Sequence, residues 1–373
     1  MEHYDILIIG GGAAGIAAAK AARGARVLLV DSKPALGGVL LQCTHFGFGK
    51  NKSGIQYAAD LLQDFPEKIT VALNTTVLSV SEDRTALLSG KEFGRKRVAF
   101  SQLILAAGCR EIPIGALPIG GTRPRGIYTA GQMQEMMNLH GFCPEGPVVI
   151  LGSGDIGLIM ARRMTMEGAH VHAVAEVMPY SGGLKRNIVQ CLEDFGIPLY
   201  LSTTVTKIHG RERLEGVTIA QVGPDRRAVE GTERFIPCDT LLLSVGLIPE
   251  NEVTLTAGIE MDRVTGGALV DENRQTSIPG VFSCGNVLQV HDLVDFVSDE
   301  GEIAGVAAAK FAKGEIAEGK TVNVKPGEGV RYVLPQRIHS EKAQKIDLYF
   351  RVSAPLGKVR LTAKCGDTVL ASA

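Results

Sequence analysis

The residues in this sequence whose types and spacing best suit chemistry form two glycine-rich turns. The first glycine turn reads Gly10-x-Gly12-x-x-Gly15 and the second glycine turn reads Gly152-x-Gly154-x-x-Gly157. In such a turn the first glycine permits a tight bend, the second lets the backbone approach a pyrophosphate, and the third lets a helix pack closely on a strand. The N-terminus of that helix offers free N–H groups and a partial positive charge to the phosphates. Each turn therefore favours the binding of a dinucleotide.

The segments around the first glycine turn are those that a dinucleotide-binding unit requires. The apolar run Ile6–Ile9 predicts a buried strand, an alanine-rich stretch after the turn predicts a helix, and Val27–Val30 predicts a second strand. Asp31 closes that strand and can accept a hydrogen bond from a ribose hydroxyl. Further on, the paired Gly37-Gly38 would let the chain pass close to a bound cofactor. A glycine turn alone is a weak signal, but strand, turn, helix, strand and acid in this order predict dinucleotide binding rather than an ordinary turn.

The second glycine turn lies in a repeat of the same unit, between the predicted strands Val148–Leu151 and Val171–Ala175. A chain with two such units can bring two redox cofactors together. Aligning Gly168-Ala169 with Gly24-Ala25 puts Ala175 opposite the acid of the first unit and Glu176 one position later. If Glu176 reaches the ribose it would repel a 2′-phosphate and favour NAD(H); otherwise it simply faces solvent. Lys185 and Arg186 follow and could accept a 2′-phosphate, which leaves NADP(H) open.

Composition restricts the partners and the compartment. Lys+Arg 39 against Asp+Glu 40 give a net charge of −1, and tryptophan is absent, which argues against nucleic acid or an anionic membrane as the main partner. Seven scattered cysteines without a C-x-x-C motif are typical of a reducing compartment. No apolar run approaches transmembrane length. We therefore expect a cytoplasmic protein.

Further strands and helices follow from the apolar patterns. Four patterns matter for the fold. Arg97–Phe100 and Leu103–Gly108 predict two strands, Thr240–Pro249 predicts one strand, and the alanine-rich Glu300–Lys313 predicts a helix with an acidic start. Residues from Pro326 onward predict three short strands.

The landmarks together resemble the superfamily of thioredoxin reductase and the pyridine nucleotide–disulfide oxidoreductases, over most of the chain. The first glycine turn with Asp31 is similar to the FAD fingerprint, and the second glycine turn to the NAD(P)H fingerprint. Leu105–Gly108 and Val245–Pro249 resemble the two crossover motifs, and Val281–Asn286 resembles the second FAD motif, which contacts the ribityl chain. The superfamily usually has aspartate where this chain has Asn286, but asparagine can still hydrogen-bond to a hydroxyl.

The resemblance implies an α/β fold. It would have an FAD-binding Rossmann-like three-layer domain in two parts (residues 1–115 and 249–325), an inserted NAD(P)-binding Rossmann-like domain (116–248) and a short C-terminal β segment (326–373). The cofactors would be FAD and NAD(H), with NADP(H) open. The predicted cofactor-binding residues are Gly10, Gly12, Ala13, Ala14, Gly15, Asp31, Ser32, Gly37, Gly38, Val77, Ala107, Gly108, Gly152, Gly154, Asp155, Ile156, Gly157, Glu176, Gly246, Gly285 and Asn286.

A narrower resemblance concerns the assembly. The run Gly37–Gly49, together with Ala107–Glu111 and His291–Asp295, is similar to a bacterial group of FAD-dependent oxidoreductases. That group is found alongside anaerobic glycerol-3-phosphate dehydrogenase-like flavoproteins and is related to subunits of sarcosine oxidase and hydrogen cyanide synthase. The resemblance implies one subunit of an oligomeric electron-transfer assembly, with an iron–sulfur partner or a second flavoprotein subunit. Members run further at the C-terminus, so we expect this chain to be truncated.

Three residues are candidates for catalysis beside a flavin. Cys43 lies near the redox end of the ligand if that ligand is a flavin, and His45 could lower the pKa of its thiol. The alternative is that Cys43 is a small buried apolar residue. His291 follows the second FAD motif and could act as a general acid or base, or could belong to a solvated loop. Cys43-x-His45 lacks further ligands at a recognisable spacing, so no metal site is predicted.

Three functions remain open from the sequence. Disulfide reductases of the superfamily place two cysteines beside the flavin, whereas Leu40 stands where the first would be, so a dithiol mechanism is not expected. The leading hypothesis is an FAD-dependent oxidoreductase that passes electrons between NAD(P)H and a partner or a small molecule. The second is a stand-alone NADH oxidase or peroxidase that uses Cys43. The third is a nucleotide-binding regulatory subunit without turnover.

Overall fold

The computed structural model contains both helices and strands and describes residues 1–91, 94–316, 319–340 and 345–373. The α-helices in these residues are α1 (Ala13–Ala21), α2 (Gly54–Leu62), α3 (Ala130–His140), α4 (Asp155–Met166), α5 (Lys185–Cys191), α6 (Glu252–Thr256) and α7 (Val294–Ala312). The strands before residue 112 are β1 (Glu2–Ile9), β2 (Val27–Val30), β3 (Phe46–Phe48), β4 (Lys52–Ser53), β5 (Thr70–Ala72), β6 (Thr75–Ser81), β7 (Thr85–Gly90), β8 (Gly94–Leu105) and β9 (Cys109–Glu111). Those between residues 120 and 249 are β10 (Gly120–Gly121), β11 (Ile127–Thr129), β12 (Val148–Leu151), β13 (Val171–Ala175), β14 (Leu199–Tyr200), β15 (Thr203–His209), β16 (Gly216–Gln221), β17 (Arg234–Pro237), β18 (Thr240–Leu243) and β19 (Leu247–Pro249). The remaining strands are β20 (Val281–Ser283), β21 (Thr321–Asn323), β22 (Val330–Leu334), β23 (Arg337–His339), β24 (Tyr349–Val352), β25 (Thr362–Cys365) and β26 (Thr368–Ser372).

The first sheet has seven strands and carries the first glycine turn. Its order is β5-β2-β1-β8-β7-β6, and β20 also pairs with β8. The strand β1 runs parallel to β2 and β8 on its two sides, which explains why Ile6–Ile9 is continuously apolar instead of alternating. The two strands predicted over residues 97–108 are one strand, β8. It keeps its direction while its outer partner changes from antiparallel β7 to parallel β20.

Helices α1 and α7 pack against each other through small residues. A Cβ atom added to Gly301 would lie 2.2 Å from the Ala14 carbonyl oxygen, and one added to Gly305 would lie 2.2 Å from that of Ala18. Ala304 and Ala308 are fully buried in the same apolar cluster. Helix α7 begins at Val294, six residues before the alanine-rich stretch that predicted it.

The second sheet carries the second glycine turn. Its five parallel strands have the order β11-β18-β12-β13-β14. A four-stranded sheet, β10-β15-β16-β17, packs against it and shares its apolar core. The strand β13 contains an irregularity, since Val148 pairs with Val171 but Val149 pairs with Ala173. Strand β13 therefore has one residue more than β12 between these pairs, and that residue shifts the alignment of the two dinucleotide-binding units.

The strand that follows the first predicted crossover motif pairs with the strand inside the second motif, and we call this pair the crossover ribbon. Strands β9 and β19 form an antiparallel ribbon between the two sheets. The single strand predicted over Thr240–Pro249 is divided into β18 and β19 because Gly246 takes the left-handed value φ +118°. The predicted domain boundaries near residues 115 and 248 fall close to this ribbon and stay predictions.

The C-terminal residues form paired short strands. Strand β22 pairs with β24, and its Leu334 is buried in the core of the first sheet. Strands β25 and β26 form an exposed hairpin. Residues 341–344 of the predicted C-terminal segment lie outside the described residues. None of the helices in the described ranges has the length and apolar character needed to cross a lipid bilayer.

Candidate cofactor and catalytic site

The first glycine turn has the shape that a pyrophosphate needs. Gly10 has φ +108°, and a Cβ there would lie 2.2 Å from the Ala106 carbonyl oxygen. A Cβ on Gly15 would lie 1.7 Å from the carbonyl oxygen of Gly10, so helix and turn touch. Gly12 precedes α1, no side chain caps this helix, and the space where its Cβ would stand is open. The N–H groups of Ala13 and Ala14 therefore begin a helix that can receive an anion, so the residues fit a dinucleotide.

Asp31 links the first glycine turn to the loop that follows β2 through hydrogen bonds. Its Oδ2 accepts a hydrogen bond from the Gly11 N–H at 2.5 Å, and its Oδ1 accepts one from the Lys33 N–H at 2.7 Å. Each oxygen keeps a second lone pair that a ribose hydroxyl could use. Gly38 lies against the turn, since a Cβ there would be 3.1 Å from the Gly12 Cα.

The other residues of the first unit that are predicted to bind a cofactor differ in their exposure to solvent. Ser32 is exposed, and Gly37 has φ +122° at the start of a 3₁₀ turn over Gly38–Gln42. Val77 is buried in the core of the first sheet, which leaves its backbone as the part a cofactor could reach. Ala107 is exposed beside Gly108, which has φ +76° just before the crossover ribbon.

The second glycine turn has the same shape. Gly152 has φ +95°, and a Cβ there would lie 2.1 Å from the Ser244 carbonyl oxygen. A Cβ on Gly157 would lie 2.6 Å from the Cβ of Ser244. Gly154 precedes α4, which no side chain caps. In this unit the helix also meets its strand closely, and in its first turn the Gly157 N–H donates to the Ser244 hydroxyl at 3.1 Å.

The side chains of Asp155 and Ile156, the first two residues of α4, contact other parts of the second unit. The Asp155 Oδ1 accepts hydrogen bonds from the Leu184 N–H at 2.8 Å and the Asn187 amide at 2.7 Å. Ile156 packs against the apolar cluster below the helix. Asp155 thus ties the start of α5 to the second glycine turn.

Glu176 is the structural counterpart of Asp31. The sequence alignment, which placed Ala175 opposite Asp31, is therefore wrong by one residue. The N–H of Gly10 donates to the Val30 carbonyl oxygen at 2.8 Å, and the N–H of Gly152 donates to that of Ala175 at 2.7 Å, so the next residue is the acid in both units. The cause is the extra residue in β13.

The contacts of Glu176 repeat those of Asp31. The Glu176 Oε2 accepts from the Ser153 N–H at 2.9 Å, and its Oε1 accepts from the Met178 N–H at 2.9 Å. Its Oε2 also accepts from the Ser153 hydroxyl at 2.7 Å. Glu176 is only 8% exposed, so it does not simply face solvent.

Gly182-Gly183 is a feature of the second unit that sequence reasoning missed. These glycines follow Glu176 at the spacing with which Gly37-Gly38 follow Asp31. A Cβ on Gly183 would lie 2.9 Å from the Ser153 carbonyl oxygen, so this loop also covers its glycine turn. The repeat was visible in the sequence once the two acids were aligned correctly.

The two candidate phosphate-binding cations of the second unit are exposed. Lys185 and Arg186 begin α5. The Arg186 guanidinium lies across the domain boundary against Gly47, where an added Cβ would be 2.9 Å from its Nη2. This contact brings α5 beside the β3 segment of the first unit.

Cys43 and His45 do not form an activated pair. The Cys43 thiol is buried and donates to the Val39 carbonyl oxygen at 3.3 Å and the Gln134 Oε1 at 3.6 Å. Burial raises the pKa of Cys43 to about 12. Burial also lowers the pKa of His45, and in the described part of the chain no hydrogen bond joins the two side chains. The geometry therefore favours the alternative of a small buried residue at Cys43.

The second FAD motif meets the first crossover segment at Asn286. Gly285, with φ +73°, begins a turn that we call the Gly285–His291 turn. The Asn286 amide nitrogen donates to the Cys109 sulfur at 3.5 Å. Its Oδ1 accepts from the His291 N–H at 3.1 Å and lies 3.2 Å from the ring Nδ1 of the same histidine. The orientation of the Asn286 amide is thus fixed on both sides.

His291 is buried instead of open to a substrate. Its side chain is 4% exposed, and its Nε2 lies 3.3 Å from the Oε2 of Glu300. Glu300 and its other partner Arg274 were not singled out in the sequence, because nothing local distinguishes a charged residue in α7 or in a loop. The structure therefore gives no support to His291 as a general acid or base that contacts substrate.

One group of described residues has the spacing of metal ligands. Asp271, Glu272 and His339 have potential ligand atoms within 4.8 Å of one another. The Nδ1 of His339 lies 3.0 Å from the Glu272 Oε1 and 3.8 Å from the Asp271 Oδ2.

Comparisons with known proteins identify relatives of this chain. In sequence the chain is 26% identical over 311 residues to an opine oxidase subunit of Agrobacterium tumefaciens (strain Ach5), covering 76% of this chain and 61% of that protein. It is 27% identical over 314 residues to hydrogen cyanide synthase subunit HcnB of Pseudomonas protegens, covering 75% of this chain and 65% of that protein. The chain thus spans less than two thirds of the length of these relatives.

The fold and the family are those that the sequence predicted. Thioredoxin reductase from T. acidophilum superposes with a TM-score of 0.68 at 23% identity, covering 83% of this chain and 99% of that one, which confirms the predicted α/β fold. The family model described as pyridine nucleotide-disulphide oxidoreductase matches residues 4–309. The chain therefore belongs to the pyridine nucleotide-disulphide oxidoreductase family of FAD- and NAD(P)H-dependent enzymes.

Proposed function

We propose that this chain takes electrons from NADH, rather than NADPH, through FAD to a partner subunit or small molecule, without a cysteine pair. The observation that carries the choice of nucleotide is the position of Glu176, at the end of the strand that follows the second glycine turn. The family supports the general oxidoreductase activity.

The preference for NADH follows from charge. An acid at the end of this strand hydrogen-bonds to the ribose 2′-hydroxyl of NAD and repels the 2′-phosphate of NADP. Glu176 is held in place by three hydrogen bonds from Ser153 and Met178. Of the two candidate cations on α5, Lys185 and Arg186, the second contacts Gly47 of the other unit.

The protein residues bind and orient the nucleotides. Bound FAD supplies the capacity to exchange a hydride with a nicotinamide. The two glycine turns would hold the pyrophosphates, Asp31 and Glu176 would hold the riboses, and Asn286 would contact the ribityl chain. This half-reaction needs no proton donor or acceptor from the protein, which agrees with the burial of His291 and Cys43.

The assembly is proposed from the relatives. The opine oxidase protein and the hydrogen cyanide synthase protein are both named as subunits, which supports a role for this chain as one subunit of a larger enzyme. An iron–sulfur protein or a second flavoprotein is the partner we propose. All seven cysteines are unpaired, which supports a reducing compartment such as the cytoplasm.

An anaerobic absorbance titration tests the proposal. The purified full chain, reconstituted with FAD, is mixed under argon with NADH or NADPH, and bleaching of the flavin band is followed. We expect NADH to bleach the flavin at least about tenfold faster, because NADPH brings its 2′-phosphate against Glu176. Glu176→Gln should reduce the ratio of the bleaching rate with NADH to that with NADPH. The matched change Glu193→Gln, at an exposed position of the same unit, should leave this ratio unaltered.

Three other outcomes would each contradict a different part of the proposal. A chain that takes up no FAD would reject the flavoprotein assignment. Faster bleaching by NADPH would reject the role of Glu176. Flavin that neither nucleotide reduces would reject NADH as the donor and favour a regulatory subunit or electron entry from another substrate.

A further inference from the structure

A fully buried carboxylate lies below the Gly285–His291 turn. Glu300, in the middle of α7, is 0% exposed. Its Oε2 accepts a hydrogen bond from the Gly285 N–H at 3.0 Å and lies 3.3 Å from the His291 Nε2. Its Oε1 accepts one from the Gln289 amide at 3.1 Å. One side chain therefore contacts the first residue, the last residue and an interior residue of the same turn.

The charge of Glu300 is balanced inside the protein. The Arg274 guanidinium, 2% exposed, lies with its Nε 3.3 Å from the Glu300 Oε1. Burial acts to raise the pKa of Glu300, but the hydrogen bond from His291 and the charges of Arg274 and His291 outweigh it and hold that pKa below its ordinary value. Arg274 itself adopts φ +64°, a conformation that L-residues other than glycine rarely take. The cation beside this carboxylate thus lies in a turn of unusual backbone conformation.

Contacts lead from Glu300 to the surface of the predicted flavin site. His291 links the Glu300 carboxylate to the Asn286 side-chain oxygen, and the Asn286 amide nitrogen reaches Cys109 on the crossover ribbon. The Asn286 oxygen already faces the backbone N–H and the ring nitrogen of His291. Its amide nitrogen has two hydrogens and one weak sulfur acceptor, so one N–H is left to donate.

We propose that Glu300 is a positioning residue of the flavin site: through the Gly285–His291 turn it fixes Asn286 so that this amide donates a hydrogen bond to a ribityl hydroxyl. The inference deepens the proposed function, because it rests on FAD binding at this turn. It also assigns a chemical role to the departure from aspartate at position 286. An aspartate offers only acceptors, whereas Asn286 in this orientation offers a donor.

The test compares Glu300→Gln with Glu302→Gln in the full chain. Glutamine at position 300 presents an amide N–H₂ to one of the donors of Gly285, Gln289 or His291 and leaves Arg274 without its anion. We expect FAD to bind about tenfold more weakly, equivalent to about 1.4 kcal/mol, and the visible circular dichroism of the bound flavin to change. Glu302 is exposed on the same helix, so Glu302→Gln removes the same charge and should change neither quantity.

A second variant covers the case in which Glu300→Gln does not fold. His291→Leu leaves the Glu300–Arg274 ion pair intact. It removes the ring contacts to Glu300, Gln289 and Asn286, and keeps the backbone N–H bond from residue 291 to the Asn286 Oδ1. It should weaken FAD binding and alter the flavin circular dichroism, whereas a purely structural network would lower the unfolding temperature of the apoprotein and leave the flavin signal unchanged. Wild-type FAD affinity and flavin spectrum in His291→Leu would overturn the inference. Failure of the wild-type chain to bind FAD would instead overturn the proposed function.

Discussion

At the scale of single residues, the thiol of Cys43 decides between two reaction types. A stand-alone NADH oxidase or peroxidase that used Cys43 would need its thiolate. With a pKa of about 12, on the order of one thiol in ten thousand is ionised at pH 8. We therefore expect Cys43→Ser to keep any peroxide-dependent NADH turnover within about twofold of the wild type, since a serine hydroxyl can still donate to Gln134. Steady-state NADH oxidation with and without peroxide measures this.

Alkylation supplies the control for that prediction. In the folded protein at pH 8, iodoacetamide should label the exposed Cys365 and leave Cys43 unmodified, while all seven cysteines should react after unfolding in guanidinium. Loss of peroxide-dependent turnover in Cys43→Ser, together with rapid labelling of Cys43 in the native chain, would reinstate the peroxidase hypothesis.

At the scale of elements, the contact of α1 with α7 brings the first glycine turn beside the Gly285–His291 turn. This contact depends on Gly301 and Gly305, whose missing side chains let backbone meet backbone. Gly305→Ala should lower the free energy of unfolding by about 2 kcal/mol, because the added methyl group meets the Ala18 carbonyl and the helices must separate. Alanine's higher helix propensity, worth about 1 kcal/mol, is too small to offset this. Urea unfolding gives the difference.

Gly327→Ala is a control outside the helices, since a Cβ at Gly327 would meet nothing within 4 Å. We expect that variant to stay within about 0.5 kcal/mol of the wild type. Equal stability of Gly305→Ala and Gly327→Ala would mean that α7 can move away from α1 without cost.

The elements also show what the sequence could predict and what it could not. The two glycine turns and their flanking strands were predictable because order along the chain defines them, and the comparisons confirm the family and the fold. The match of Glu176 to Asp31 was missed because the extra residue in β13 appears only when that strand pairs with β12. Glu300 could not be singled out, because its partners Arg274 and His291 are brought to it by tertiary packing. The cofactor contacts themselves stay predictions.

At the scale of the whole molecule, the two units meet along a seam between α3 and the segment that contains Cys43. The Asn138 amide donates to the Gln42 carbonyl oxygen at 2.7 Å, and the Gln42 amide donates to that of Gly131 at 3.0 Å. An exposed ion pair, Lys33 with Glu135 at 3.1 Å, lies on the same seam. Because α3 follows the first strand of the second sheet, these bonds set the position of the second glycine turn relative to the first.

Loosening this seam should slow electron transfer between the nucleotides without releasing the flavin. We expect Asn138→Ala to lower the rate of anaerobic flavin reduction at saturating NADH about three- to tenfold, because misplacing the two reacting groups by a fraction of an ångström is costly. The FAD content per chain, read from absorbance, should stay unchanged, since Asn138 contacts no residue of the first glycine turn. Lys33→Gln removes only an exposed ion pair and should alter neither quantity. A faster reduction in Asn138→Ala would show that the seam holds a resting arrangement which must open before NADH can react.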